Sequence, residues 1–266
     1  MIDYLMKLNP VILALIACSF TYLFTLLGAS IVLFFKRVNK NIMDAMLGFA
    51  AGVMISASFW SLLAPGIEMA NELNQIGWII AALGFLTGGI ILFIGDKVCS
   101  KVMEKSEREA GNKFKRVLLL IISITLHNIP EGLAVGIAFG ALSSTMSEAA
   151  LMSAIVLAIG IALQNFPEGS AVSLPLRREG YSRGKSFFYG QLSGVVEPIA
   201  GVIGALMVQK VQTILPFFLC FAAGAMIYVV VEELIPESQT NEKKDLMALF
   251  TLIGFSTMMI LDVALG

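Results

Sequence analysis

The chain has 266 residues, 58% of them apolar and 14% charged, with a net charge of -1. Soluble globular domains carry roughly one-quarter charged residues, so this composition excludes an ordinary soluble fold and points to a lipid-embedded protein. No nucleic-acid partner is expected of it.

A bilayer demands about 20 apolar residues per helical span, and such runs recur from one end of the chain to the other. Eight spans are predicted, at residues 10–35, 42–64, 76–95, 117–142, 149–174, 186–208, 213–235 and 246–265. The expected fold class is therefore all-α, a polytopic membrane protein of eight transmembrane helices in one domain covering residues 1–266. The first run is too long for a signal-peptide core, so it is expected to be a retained helix. Leu15-Ile16-Ala17-Cys18 matches a lipidation box by chance, because the apolar run continues well past the cysteine.

Of the 18 Lys and Arg residues, 16 fall in the segments after spans one, three, five and seven. Only Lys7 and Lys210 lie on the other side. Cytoplasmic loops retain positive charge, so both termini are expected outside and the loops around Lys36, Lys101, Arg177 and Lys243 inside. The longest connection, residues 97–116, mixes seven basic residues with Glu104, Glu107 and Glu109 and is expected to be a solvated cytoplasmic loop rather than a helix lying on anionic lipid. The link between spans four and five is short enough to make them antiparallel neighbours. Glycines four apart at Gly48/Gly52, Gly84/Gly88, Gly132/Gly136/Gly140 and Gly190/Gly194 suit close helix packing in lipid. Cys18, Cys99 and Cys220 are scattered, with no Cys-x-x-Cys pair, and indicate neither a thiolate metal site nor a disulfide framework.

Span four contains Leu126-His127-Asn128-Ile129-Pro130-Glu131-Gly132, and span five contains Leu163-Gln164-Asn165-Phe166-Pro167-Glu168-Gly169. Span six adds Gly194-Val195-Val196-Glu197-Pro198. A lone histidine in a helix is ordinarily a satisfied core residue. A polar heptapeptide that appears twice is another matter, since each ionisable side chain at hydrocarbon depth costs about 2.5–3.5 kcal/mol. His127, Gln164 and Glu197 lie about ten residues from the cytoplasmic ends of their spans, which is about 15–17 Å at ~1.5 Å per residue. Three polar clusters thus meet near the midplane although span five runs opposite to the other two. His127, Asn128 and Glu131 share one helix face, as do Gln164, Asn165 and Glu168. Pro130, Pro167 and Pro198 free the carbonyls of Leu126, Leu163 and Gly194 and kink their helices, and irregular backbone at that depth belongs beside a cavity or pathway.

Carboxylates, one imidazole and amide oxygens suit a borderline divalent ion such as zinc, iron or manganese. Protons compete for the same ligands, so metal binding is expected to weaken as pH falls.

The His-Asn-x-Pro-Glu-Gly, Gln-Asn-x-Pro-Glu-Gly and Glu-Pro motifs together resemble the Zrt/Irt-like (ZIP) metal transporter family over all eight spans. Gln164 in the second motif and the Gly-Phe-Ala-Ala-Gly stretch from Gly48 to Gly52 are similar to its GufA-like branch. The resemblance implies a ZIP-like bundle with kinked helices four and five, zinc movement into the cytoplasm through a binuclear site, an elevator-like motion of two helix bundles, and a homodimer. It implies a first metal position on His127, Glu131, Gln164 and Glu168, with Met54 as an added ligand. It implies a second on Asn128, Glu131, Asn165, Glu168 and Glu197. It also implies pathway roles for Glu68, Asp96, Glu233 and Asp262, for which an interfacial charge in contact with water is an equally simple account. Two departures stand out: residue 165 is Asn where some relatives have Asp, and residues 97–116 lack a histidine-rich tract.

The expected partners are divalent ions, Zn2+ first and then Cd2+, Fe2+ or Mn2+, together with the lipid bilayer and a second copy of the chain. No prosthetic group is expected. The expected location is the plasma membrane, or the inner membrane of a bacterium. A selective cation channel is the alternative transport mechanism. An intramembrane enzyme fits less well, since the chain has no His-Glu-x-x-His or Gly-x-Ser-x-Gly, and Phe93-Ile94-Gly95 before Asp96 lacks the first Gly of an intramembrane aspartyl protease motif.

Overall fold

A computed structural model describes residues 2–35, 39–109, 113–143, 146–178, 180–210 and 212–265, with the side chains of residues 3, 99, 100, 102–109, 113–124, 126, 127, 175, 178, 209, 210 and 212 outside the description. The described residues form helices and no strand. After a short turn of helix at Ile2–Leu5 come eight long helices: α1 (Pro10–Phe34), α2 (Lys40–Glu72), α3 (Gly77–Glu109), α4 (Lys113–Ala141), α5 (Glu148–Arg178), α6 (Arg183–Val208), α7 (Leu215–Ser238) and α8 (Lys244–Leu265). Seven of them are apolar and long enough to cross a membrane over their described residues. Helix α4, at 29 residues, completes the eight by length and sequence. The chain is an integral membrane protein.

Local chemistry starts the helices where the sequence changes from polar to apolar. Asn9 accepts a hydrogen bond from the Val11 amide at 2.8 Å and Pro10 opens α1, Asn39 accepts from Asn41 at 2.9 Å ahead of α2, and Ser182 accepts from Lys185 at 3.3 Å ahead of α6. Each cap takes a backbone donor that the first helical turn cannot satisfy itself.

Residues 97–109 do not form the irregular loop expected of them. They continue α3 as one helix to Glu109, and α4 begins at Lys113. The physical reason lies in the same sequence: no Gly or Pro interrupts 98–109, Lys, Glu and Arg are good helix formers, and Glu104/Arg108 stand four apart.

Two helices carry a widened turn that the apolar pattern did not announce. Helix α2 is π-helical at Ser58–Leu63 and α7 at Val230–Leu234. Pro65 and Pro236 stand two residues past the ends of these segments; a proline ring crowds the carbonyl four residues back, here Ser61 and Glu232 within the widened turns, and offers it no N–H, which a wider turn relieves. The match goes further, since Phe49-Ala50-Ala51-Gly52-Val53-Met54-Ile55 and Phe221-Ala222-Ala223-Gly224-Ala225-Met226-Ile227 are the same motif placed just before each π segment. Helix α2 thereby runs on to Glu72, beyond the expected end at residue 64.

The tightest pairs are α1 with α5, α4 with α6, α2 with α8 and α3 with α7. Further contacts gather α1, α4, α5 and α6 into one group and α2, α7, α8 and α3 into another, with α2 against α5 and α7 against α4 across the boundary. Glycine makes each pairing possible. A Cβ on Gly52 would stand 2.6 Å from the Phe255 nitrogen, one on Gly88 2.9 Å from that of Ala225, one on Gly169 2.9 Å from that of Ala29, and one on Gly136 2.7 Å from the Gly201 Cα. In lipid, where hydrophobicity gives helices no reason to associate, such backbone contact supplies the packing energy.

Candidate metal site

Asn128 and Glu131 of α4, Gln164 and Asn165 of α5 and Glu197 of α6 lie close enough to share hydrogen bonds. Asn128, Glu131, Gln164, Asn165 and Glu197 are all at most 1% exposed. Helices α4 and α5 run through Pro130 and Pro167 as continuous α-helix, while α6 tightens to a 3₁₀ turn at Ser193–Val195 just before Glu197 and Pro198.

Gln164 Nε2 donates to Glu131 Oε1 at 2.5 Å. Asn165 Nδ2 donates to Glu197 Oε2 at 2.8 Å, and Asn128 Nδ2 to Glu197 Oε1 at 3.4 Å. The three carboxylates of Glu131, Glu168 and Glu197 lie within electrostatic reach of one another, and Glu168 also within reach of Glu233 on α7. Each amide thus turns its N–H end to a carboxylate, and its oxygen is left over.

Those leftover atoms define the chemistry. Asn128 Oδ1, Glu131 Oε2, Gln164 Oε1, Asn165 Oδ1 and Glu168 Oε1 are buried with no hydrogen-bond donor. A buried acceptor left unpaired costs about 1–3 kcal/mol, and folded proteins leave few of them, so a cluster in one place calls for a partner. Five from the same two facing motifs, all acceptors, fit a cation and nothing negative. Among the described residues no three His, Cys, Asp or Glu side chains alone form a metal-binding group. The acceptors that gather are carboxylate and amide oxygens together.

A family model described as the ZIP zinc transporter matches residues 8–117 and 104–262, which is nearly the whole chain. The chain belongs to the ZIP zinc transporter family. Zinc transporter ZIP11 of Xenopus tropicalis is 40% identical over 332 aligned positions, covering 97% of this chain and 98% of that protein. Zinc transporter GufA of Myxococcus xanthus is 32% identical over 245 positions, 90% of this chain and 94% of its own length, in keeping with the GufA-like branch. Zinc transporter ZIPB of Bordetella bronchiseptica is 34% identical over 247 positions, covering 91% of this chain and 78% of that protein. As a ZIP protein the chain is a divalent metal transporter and not an enzyme.

The other expected site residues of this ZIP protein are spread along the helices. His127 lies on α4 with its side chain outside the described residues. Met54 is fully buried on α2, one turn before its π segment. Asp262 on α8 accepts a hydrogen bond from Ser61 at 2.6 Å, while its Oδ2 is buried without a partner. Glu233 sits half-buried in the π segment of α7, Asp96 half-buried on α3, and Glu68 exposed on α2.

Sequence reasoning missed Ser61, Thr21 and Thr25. The two threonines project from α1 to Glu197, with Thr21 Oγ1 2.5 Å from Oε2 and Thr25 Oγ1 3.3 Å from Oε1. Their spacing of four within a mostly apolar span was the available signal. It is weak, because threonine in a membrane helix commonly bonds its own backbone.

Proposed function

We propose that this chain is a secondary transporter that carries divalent transition metal ions, Zn2+ before Cd2+, Fe2+ or Mn2+, toward the cytoplasm through a site at the bilayer midplane. The observation that carries it is the set of five buried acceptor oxygens on α4 and α5 with no donor to meet them. The ion is the substrate, and its entry satisfies atoms that would otherwise remain costly to bury.

The transported ion sits on His127, Glu131, Gln164 and Glu168, with Met54 as a soft contact and the carbonyls freed by Pro130 and Pro167 nearby. A second position would use Asn128, Asn165 and Glu197 together with the shared Glu131 and Glu168. Its amide oxygens are available, whereas Glu197 is already surrounded by donors, which favours the first position. Glu68, Asp96, Glu233 and Asp262 serve as polar steps between this site and the two membrane faces.

An elevator-like motion is supported by the division of the helices: α4, α5 and α6 share one group with α1, and α2, α3, α7 and α8 form the other. One group carries the site past the other, in a homodimer of the plasma membrane with both termini outside and the 97–116 segment in the cytoplasm.

Metal uptake into proteoliposomes, measured for zinc, iron, manganese and cadmium with internal and external pH controlled, tests this. Saturable uptake at low zinc concentration is expected. Flux that follows voltage and does not saturate would replace the carrier with a channel, and no metal flux at all would overturn the proposal.

A further inference from the structure

Glu197 is fully buried, and its carboxylate accepts four hydrogen bonds, two at each oxygen. Oε2 accepts from Thr21 Oγ1 at 2.5 Å and Asn165 Nδ2 at 2.8 Å; Oε1 accepts from Thr25 Oγ1 at 3.3 Å and Asn128 Nδ2 at 3.4 Å. The four donors come from three other helices, α1, α4 and α5. A carboxylate offers about four acceptor positions, so this one is saturated.

Saturation has a geometric consequence for the amides. An amide has a donor end and an acceptor end fixed on opposite sides of one plane. Asn165 spends its Nδ2 on Glu197 and on the Thr21 carbonyl at 3.3 Å, so its Oδ1 must face the other way, and it is one of the unpartnered buried oxygens. Asn128 repeats the pattern from α4. The Thr21 hydroxyl also lies 3.0 Å from the Cys18 carbonyl, but its single proton goes to the charged acceptor, where the bond is stronger.

We propose that Thr21 and Thr25, acting through Glu197, are positioning residues for the metal site: they hold the carboxylate that turns the Asn128 and Asn165 oxygens away from itself and into the polar interior beside Glu131, Gln164 and Glu168, and Glu197 itself does not ligate. The site of this chain then takes one divalent ion at a time. The inference rests on the midplane site proposed above. Asn165 is central to it, because an aspartate there would repel Glu197 instead of donating to it.

The experiment compares zinc uptake by full-length protein in proteoliposomes for wild type, Thr21→Val, which keeps the shape and loses the hydroxyl, Thr21→Ser, which keeps the hydroxyl, and Thr25→Val. Bound zinc is counted on purified wild type and Glu197→Gln. Thr21→Val is expected to raise the KM for zinc about tenfold, as fits loss of a hydrogen bond to a charged group, with the maximal rate within about twofold of wild type. Thr25→Val is expected to shift KM in the same direction by less, and Thr21→Ser to restore it. Wild type and Glu197→Gln are both expected to bind one zinc per chain. An unchanged KM in Thr21→Val, a Thr21→Ser as impaired as Thr21→Val, or two zinc ions in wild type falling to one in Glu197→Gln would overturn the inference. Glu131→Ala run alongside separates the two levels: if it transports normally the site itself is misplaced, whereas if it is inactive and Thr21→Val is normal only the positioning role fails.

Discussion

Gln164 and Glu131 are joined across the interface of α5 and α4 by a 2.5 Å hydrogen bond, and the oxygen that each does not use, Gln164 Oε1 and Glu131 Oε2, is buried without a partner. One bond thereby aims two oxygens from two helices. Replacing Gln164 by Leu keeps the bulk but removes both the donor that orients Glu131 and one ligand oxygen. The KM for zinc should rise at least about tenfold, measured as initial uptake rates over a zinc series. An unchanged KM would mean that Gln164 is only packing.

Glu131 supplies both a charge and an unpartnered oxygen to the proposed ligand set, so its removal takes two contributions away at once. Glu131→Ala should abolish saturable zinc uptake in vesicles containing equal amounts of inserted protein. Uptake equal to wild type would remove Glu131 from the pathway.

Zinc binds carboxylates and imidazole only in their deprotonated forms, so each bound ion displaces whatever protons those groups hold. The sign follows: as pH falls the protons return and the dissociation constant for zinc must rise, by about tenfold per pH unit if one proton is displaced. Titration calorimetry from neutral to mildly acid pH checks this. A flat profile would show that zinc meets no group that is protonated over that range.

Gly169 lies one residue after Glu168, and a Cβ there would strike the Thr25 carbonyl and approach the Ala29 nitrogen to 2.9 Å. Gly169→Ala should push α1 from α5 and cost about 1–3 kcal/mol, the usual range for overpacking. Thermal unfolding in detergent should register the loss. Zinc uptake should fall with it, because the same displacement draws Thr25 away from Glu197.

The charge bias makes a topological prediction. A single cysteine at Lys7 should react with a membrane-impermeant thiol reagent in sealed cells, and one at Lys243 only after permeabilisation. The reverse pattern would invert the proposed direction of transport.

Much of this protein could be read along the chain because lipid imposes a one-dimensional rule. A span needs an apolar run of fixed length, so α1 was expected at 10–35 and stands at Pro10–Phe34, and α8 was expected at 246–265 and stands at Lys244–Leu265. The duplicated motif was legible for the same reason: His127 to Glu131 and Gln164 to Glu168 are conspicuous where polar residues are expensive. Segment 97–109 was misjudged because the rule covers only lipid; once in water, a charged stretch can be loop or helix, and helix propensity decided it. The repeated Phe49 to Ile55 and Phe221 to Ile227 was present in the sequence and would have emerged from comparing the chain with itself.

By itself, then, the order of residues determined the helical spans, and it carries the uneven sorting of Lys and Arg between alternate loops and the repeated spacing of the polar motifs, since each of these depends only on position along the chain. Which way an amide turns depends on neighbours from other helices. Only the folded bundle decided that Thr21 and Thr25 meet Glu197, that Asn128 and Asn165 meet it too, that Gln164 meets Glu131, and that four oxygens of these amides and Glu131 are consequently left buried without a donor, because hydrogen bonds between helices are set by rotation and packing that no single span encodes.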